Sequence, residues 1–386
     1  MNIFLNACLS LGLAASAIAE EMPPWTPTTQ KALTAAGTNR AELERALVAV
    51  PAQQREGMQF LIENMPPVDL ANLKAEFLLT HVADSYQSME RAPWASLVPK
   101  NLFLNDVLPY ASLNEVRDNG RQKLREIATP LVKDCKTPSE AAQTLNQKLF
   151  GIVNVKYSTT RRKPDQSSLE SMQSGVATCS GLSILLVDAC RAVGVPARVV
   201  GTPMWTNLRG NHTWVEIWDR GWHFAGAAEP DGNGLDHGWF AGDAAAANDE
   251  KAEHRIYASS FKQTGIAFPL VWDRSISWVP AVNVTDRYTG AVKSPEGGVR
   301  VLVRVLDKLE GQRVAARVTV TDAADAAMAF AGTSRGETAD LNNILPFQLV
   351  PGHTYHVEIQ DHDKSVNKDI AVTKEWEQIL TVHLTP

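Results

Sequence analysis

The sequence predicts an α+β protein in three parts, on three observations. Residues 25 to about 150 read as helix. A strongly periodic helix followed at once by strands opens the middle of the chain. From about residue 290 onward, apolar and polar residues alternate with the period of two that a half-buried sheet requires. The expected divisions are a helical N-terminal module over 20–150, a mixed core over 151–288 and a β-sandwich over 289–386.

Residues 1–19 are expected to be a signal peptide. Residues 3–19 carry no charge and end in Ala17-Ile18-Ala19, a small-x-small pattern followed by Glu20. An apolar run of this length, broken by Asn6, is short for a membrane span. Cleavage after Ala19 and a secreted or periplasmic product without stable membrane insertion are the expectation. Formal net charge is −6, so no global basic field points to nucleic acid. Arg161-Arg162-Lys163 reads as a solvated loop.

In the N-terminal module, Ser112 three residues before Glu115 predicts a capping box that opens a helix. Thr137, Pro138 and Glu140 repeat the pattern, with Pro138 at the first helical position. Pro51, Pro66-Pro67 and Pro130 punctuate the helices. In the core, Leu182, Leu185, Leu186, Ala189 and Val193 fall on one helical face, and Gly194 then Pro196 end that helix. "ARVVGTPMW", "HTWVEIWD" and "GWHFAGA" read as consecutive strands, with a tight corner at Asp219-Arg220-Gly221. Beyond residue 290, "VRVLVRVLD", "RVAARVTVTD", "HTYHVEIQD" and "ILTVHLT" alternate as the strands of an immunoglobulin-like sandwich do. The linker is expected near Ser294–Gly298.

Without Cys8, three cysteines remain: Cys135, Cys179 and Cys190. Cys179 and Cys190 lie eleven residues apart on one helix, about 16 Å along its axis, too far for a disulfide. Cys135 with Cys190 stays open. Cys179 is expected to be free, in the first turn behind an N-cap at Thr178. A helix N-terminus stabilises a thiolate through its oriented N–H groups. Cysteine is also among the most buried residue types, so this position alone marks nothing. The order is more telling: Cys179 at a helix start, a strand, then His212 at the head of the next strand. A thiolate nucleophile needs such an imidazole and a third group to fix the ring.

"GVATCSGLSILLVDACRAVGVPARVVGTPMW" followed by "GNHTWVEIWDRGWHF" resembles the transglutaminase-like superfamily, the papain-fold group of cysteine enzymes. The resemblance spans roughly residues 140–240. It implies a papain-like core with Cys179 as nucleophile and His212 as general base and acid. It also implies an acid shortly after Trp222, near Gly226, where this chain has none. Glu229 is the nearest carboxylate and the choice for third member, with Asp231 the next. Gln173, six residues before Cys179, has the spacing of a papain-type oxyanion donor. Trp214 and Trp205 are candidate cleft walls, and Asn211 a candidate substrate contact or turn residue.

No Cys-x-x-Cys, His-Glu-x-x-His or Gly-rich phosphate loop is present, and no metal or cofactor is expected. The expected activity is thioester chemistry on peptide or carboxamide bonds, with peptide or protein as partner. The alternative is an inactive peptide- or glycan-binding protein on the same fold.

Overall fold

The computed structural model describes residues 25–289, 298–374 and 377–385. The expected signal peptide lies outside them, as does nearly all of the expected linker. Among the described residues, no helix is long and apolar enough to cross a membrane.

The first part is helical: α1 (Pro27–Ala35), α2 (Arg40–Ala49), α3 (Arg55–Asn64), α4 (Pro67–Asn72), α5 (Ala75–Arg91), α6 (Lys100–Leu102), α7 (Gly120–Val132) and α8 (Pro138–Ile152). Pro67 and Pro138 stand in the first turns of their helices, where the missing N–H costs nothing. Thr137 caps α8 through the Glu140 N–H. The expected helix at Ser112 does not form. Glu115 takes the N–H groups of Ser112 and Leu113 at 2.6 and 2.8 Å, but no apolar period follows to continue the turn. The helix begins instead at Gly120. Leu33, Leu43, Leu47, Met58, Leu61 and Leu78 fill this module's own core.

Two buried arginines hold the segment before α7, and Arg191 joins it to the core. Arg121 of α7 donates to the carbonyls of Val107 and Pro109. Arg191 donates to those of Asp106 and Ala111. The connecting loop therefore has its carbonyls satisfied in a place closed to water.

Strand β1 (Lys156–Tyr157), α9 (Ser168–Ser174) and β2 (Val176–Ala177) lead into α10 (Cys179–Ala192). The leucine face of α10 is buried as its period requires, and so are Ile184 and Val187 on its other sides. A helix apolar all round is a central one. Here α7 and α8 cover it on one side, and β3 (Ala197–Thr202) with β4 (His212–Trp218) on the other. Each fully buried leucine contributes about 1.5–3 kcal/mol. Gly194 takes the left-handed conformation, φ 78°, that ends the helix.

β5 (Trp222–Ala225), β6 (Tyr257–Ser259) and β7 (Ala281–Asn283) complete an antiparallel sheet in the order β5-β4-β3-β6-β7. Its other face packs on α11 (Ala241–Ala245) and α12 (Thr285–Thr289) over Trp205, Trp214, Phe240 and Tyr288.

The last part is two sheets. One orders β10 (Ala329–Thr333), β9 (Arg317–Asp322), β12 (Thr354–Asp361) and β13 (Lys364–Ala371). The other orders β11 (Leu345–Leu349), β8 (Val299–Leu306) and β14 (Glu377–His383), with β14 parallel to β8. Inward residues such as Val301, Val303, Val318, Val320, Val357 and Ile359 alternate along these strands to form one core.

A buried ionic cluster seats these sheets on the core. Asp243 of α11 accepts from Arg209 at 2.5 Å and from Arg300 of β8 at 2.7 Å. Glu377 of β14 pairs with the same two arginines at 3.1 and 3.2 Å. Two acids thus balance two cations away from water, the condition a buried ion cluster needs.

Candidate active site

Thr178 Oγ1 accepts the Gly181 N–H at 3.1 Å and donates to the Pro164 carbonyl at 2.7 Å. This cap starts α10 and places Cys179 at its first position, half-buried. The Cys179 N–H has no intrahelical acceptor there. Gln166 donates to Ser174 Oγ and the Val176 carbonyl and so braces the turn before it. Ser180 Oγ lies 3.0 Å from Thr213 Oγ1 and ties the helix start to β4.

His212 opens β4 and is 2% exposed. Its ring sits in an aromatic box. Trp239 is 4.6 Å away between centroids, Phe240 5.0 Å, Trp214 5.8 Å and Trp205 6.2 Å. The carboxylate facing Nδ1 belongs to Asp340, at 3.6 Å. Asp340 is equally buried and comes from the sandwich, in the loop before β11. The ligating atoms of Cys179, His212 and Asp340 all lie within 4.8 Å of one another. Such a thiol, imidazole and carboxylate are also donors that a soft divalent ion accepts.

Burial opposes charge on the His212 ring, but Asp340 and the Cys179 sulfur outweigh it and push its pKa up to about 10. Burial works against the Asp340 carboxylate as well, and His212 with the Asn342 N–H holds it below its ordinary value. An imidazolium facing a carboxylate is the state both shifts describe. Neither ring nitrogen makes a hydrogen bond of ordinary geometry. Catalytic contacts commonly tighten only once substrate is bound.

Arg313 fixes the loop that carries Asp340. Its guanidinium donates to the carbonyls of Ala339, Asp340 and Asn343. Asn342 reaches across to the Asn211 carbonyl at 2.7 Å, and Arg209 donates to the Asn342 carbonyl at 2.7 Å. Asn211 therefore meets the sandwich through its backbone.

Glu229, the expected third member, is bonded elsewhere. It accepts Trp239 Nε1 at 2.7 Å and the Asp340 N–H. Burial pushes its pKa up to about 7, with His212 pulling it down and Asp340 pushing it up. It also occupies the space beside Gly226, where a Cβ would meet Glu229 Oε2 at 2.8 Å. Asp231 binds Asn233 and faces the cleft. Gln173 is exposed on α9. Trp205 and Trp214 are fully buried and stacked 5.9 Å apart, so they back the His212 ring and line no cleft. Trp214 packs inward because β4 alternates and the face that carries His212 is buried under α11 and α12, and Trp205 reaches the same cluster from the loop after β3. Glu216 shares that face but is taken by Arg198 and Arg287. Trp239, with Phe150 and Tyr157, is an aromatic side chain that does line the cleft.

The cleft itself has a volume of about 640 Å³ and runs between core and sandwich. Leu182, one turn after Cys179, lines it with Tyr157, Trp239 and Asn343. Cys135, Cys179 and Cys190 are all free thiols. Burial pushes the Cys190 thiol up to about 12, out of range for chemistry at neutral pH.

Sequence reasoning missed Asp340 and Arg313. Both stand in a turn-rich stretch of the sandwich that has no spacing relation to Cys179 or His212.

Residues 125–244 match the model of the transglutaminase-like superfamily, which covers the cap, Cys179, His212 and Glu229. Asp340 lies outside the matched stretch. Among solved structures, the chain is similar to a candidate cysteine protease from Cytophaga hutchinsonii. Identity is 18%, coverage 52% of this chain and 68% of that one, and TM-score 0.29. It is also similar to the transglutaminase of red sea bream, at 11% identity, with 73% and 66% coverage and TM-score 0.34. The chain thus spans about two thirds of either structure. No curated protein sequence matches it.

Proposed function

We propose that this chain is a secreted cysteine enzyme that cleaves peptide or carboxamide bonds through a thioester on Cys179. The observation that carries the proposal is the meeting of Cys179, His212 and Asp340 within 4.8 Å at a helix N-terminus. In this reading the thiolate attacks the amide carbon while His212 carries the proton. The tetrahedral intermediate collapses, the C–N bond breaks, and His212 passes its proton to the leaving amine. Water then attacks the thioester and gives its proton to neutral His212. The C–S bond breaks, the product leaves as a carboxylic acid that loses its proton to solvent, and the thiolate–imidazolium pair is restored. Asp340 holds the ring and balances its charge throughout. The Cys179 N–H is the natural first donor to the oxyanion.

An amine can replace water in the second half, which would make the protein an acyltransferase. Hydrolysis is preferred by analogy with general extracytoplasmic enzymes. The reading is tested by mixing the protein with a peptide-amide library, quenching in acid and weighing the Cys179 peptide. An acyl adduct at Cys179, absent from Cys179→Ala, supports it. The competing reading is a cleft that binds peptide or glycan without chemistry. It draws on the 3.6 Å gap between His212 and Asp340, longer than a hydrogen bond. Tight binding with no adduct and no turnover would favour it.

A further inference from the structure

The cleft between core and sandwich carries two cations that form no ion pair among the described residues. Lys156 lines it from β1, exposed, with no ion pair among the described residues. Arg335 lines it from the sandwich, half-buried. Its Nε donates to Asn343 Oδ1 at 3.2 Å and one terminal nitrogen to the Thr333 carbonyl at 3.0 Å. These contacts orient the guanidinium without neutralising it. No carboxylate pairs with it among the described residues. The other large cations of the domain junction, Arg209 and Arg300, are by contrast fully paired.

Neither acid that lines the cleft, Glu229 or Asp231, forms an ion pair with these two among the described residues. Glu229 is engaged by Trp239 and the Asp340 N–H. With its pKa near 7 it carries only part of a charge at neutral pH. Asp231 accepts from Asn233. The cleft is next to the nucleophile. Leu182 follows Cys179 by one turn, and the Tyr157 hydroxyl beside Lys156 accepts the N–H of Leu341, the neighbour of Asp340.

We infer that the cleft selects amide substrates that carry a free carboxylate, which Lys156 and Arg335 bind from the two domains. Arg335 suits this role because its planar fork is already oriented and a carboxylate can take two of its N–H groups. The inference rests on Cys179 being the reactive thiol proposed above. It adds a substrate class to that reading and gives the sandwich a part in recognition.

The test uses two alkylating probes of similar size, anionic iodoacetate and neutral iodoacetamide, on the full chain at low salt and pH 7. The rate of modification at Cys179 is followed by peptide mass spectrometry in wild type, Lys156→Gln, Arg335→Gln, Arg335→Lys and the Lys156→Gln/Arg335→Gln double variant. The expected result is an iodoacetate-to-iodoacetamide ratio that falls at least threefold in the double variant. Arg335→Lys should keep most of it, and the iodoacetamide rate should stay the same throughout. A ratio unchanged by both Gln substitutions, with Cys179 still reactive, overturns the carboxylate inference and leaves the thiol reading standing. Failure of Cys179 to react with either probe in any variant overturns both.

Discussion

His212 opens β4 and Asp340 stands in the loop before β11, yet the Asp340 carboxylate lies 3.6 Å from His212 Nδ1 with both side chains nearly excluded from water. β4 and the start of α10 therefore supply imidazole and thiol, and the loop before β11 supplies the carboxylate that favours the charged ring.

Asp340→Asn should lower the His212 pKa from about 10 by at least one unit, because burial, which opposes the charged ring, then meets less resistance. An NMR titration of the ring reads this directly. The stability effect has a defined sign. His212 has a raised pKa, so its contribution is complete below its ordinary 6.5 and lost as pH rises through about 10. Asp340 has a lowered pKa, so its contribution is complete above its ordinary 3.8 and lost as pH falls. The stability gap between wild type and variant should be widest between those two values and shrink toward pH 10. Breaking a buried pair costs about 3–5 kcal/mol, which urea unfolding resolves.

Asp243→Asn tests the docking. It leaves Arg209 and Arg300 with only Glu377 between them. A loss of about 2–5 kcal/mol is expected from an uncompensated buried cation. Cys179 alkylation at pH 6 should slow in parallel, although residue 243 touches none of the three catalytic groups. Normal reactivity in a destabilised Asp243→Asn protein would separate docking from the site.

Arg313→Met removes the guanidinium that gathers the carbonyls of the Asp340 loop. Its cost should be about 1–3 kcal/mol, from carbonyls left unpaired. The His212 pKa should fall toward that of Asp340→Asn, because the carboxylate is no longer held in place. A His212 titration like that of wild type would show that the loop keeps its form without Arg313.

Glu229 should appear as an ionisation near pH 7 in the profile of Cys179 alkylation by iodoacetamide. Its charge adds to that of Asp340 in favour of the imidazolium, so reactivity should step up as it ionises. Glu229→Gln should remove the step. Its pKa is raised, so the folded protein holds the extra proton between the ordinary 4.5 and about 7, and stability falls with pH across that window. The variant should flatten that slope.

Much of the architecture was legible in local pattern. The period of Leu182, Leu185, Leu186 and Ala189, the cap at Thr178 and the stop at Gly194 define α10 within a residue or two. The alternation of "VRVLVRVL" gives β8. Position in the chain also pointed to Cys179 and His212, because helix start and strand head follow from caps and turns. Ser112 and Glu115 show the limit of such signals, since a capping pattern closes a turn whether or not an apolar face follows. Asp340 was out of reach for a different reason. It is brought to His212 by the packing of the C-terminal sheets on the core, through Arg209, Asp243, Arg300 and Glu377, and no spacing rule encodes that. Glu229 was the nearest acid in sequence to a site that Gly226 leaves without a side chain, and in space its carboxylate does fill that gap.

The central claim is that Cys179 is a nucleophile paired with His212. The most direct test is the rate of Cys179 alkylation by iodoacetamide between pH 5 and 8, in wild type and His212→Ala, with Cys135 and Cys190 as internal controls. Cys179 alone should react fast at pH 6, and His212→Ala should slow it at least tenfold. A Cys179 that reacts slowly and equally in both proteins would contradict it.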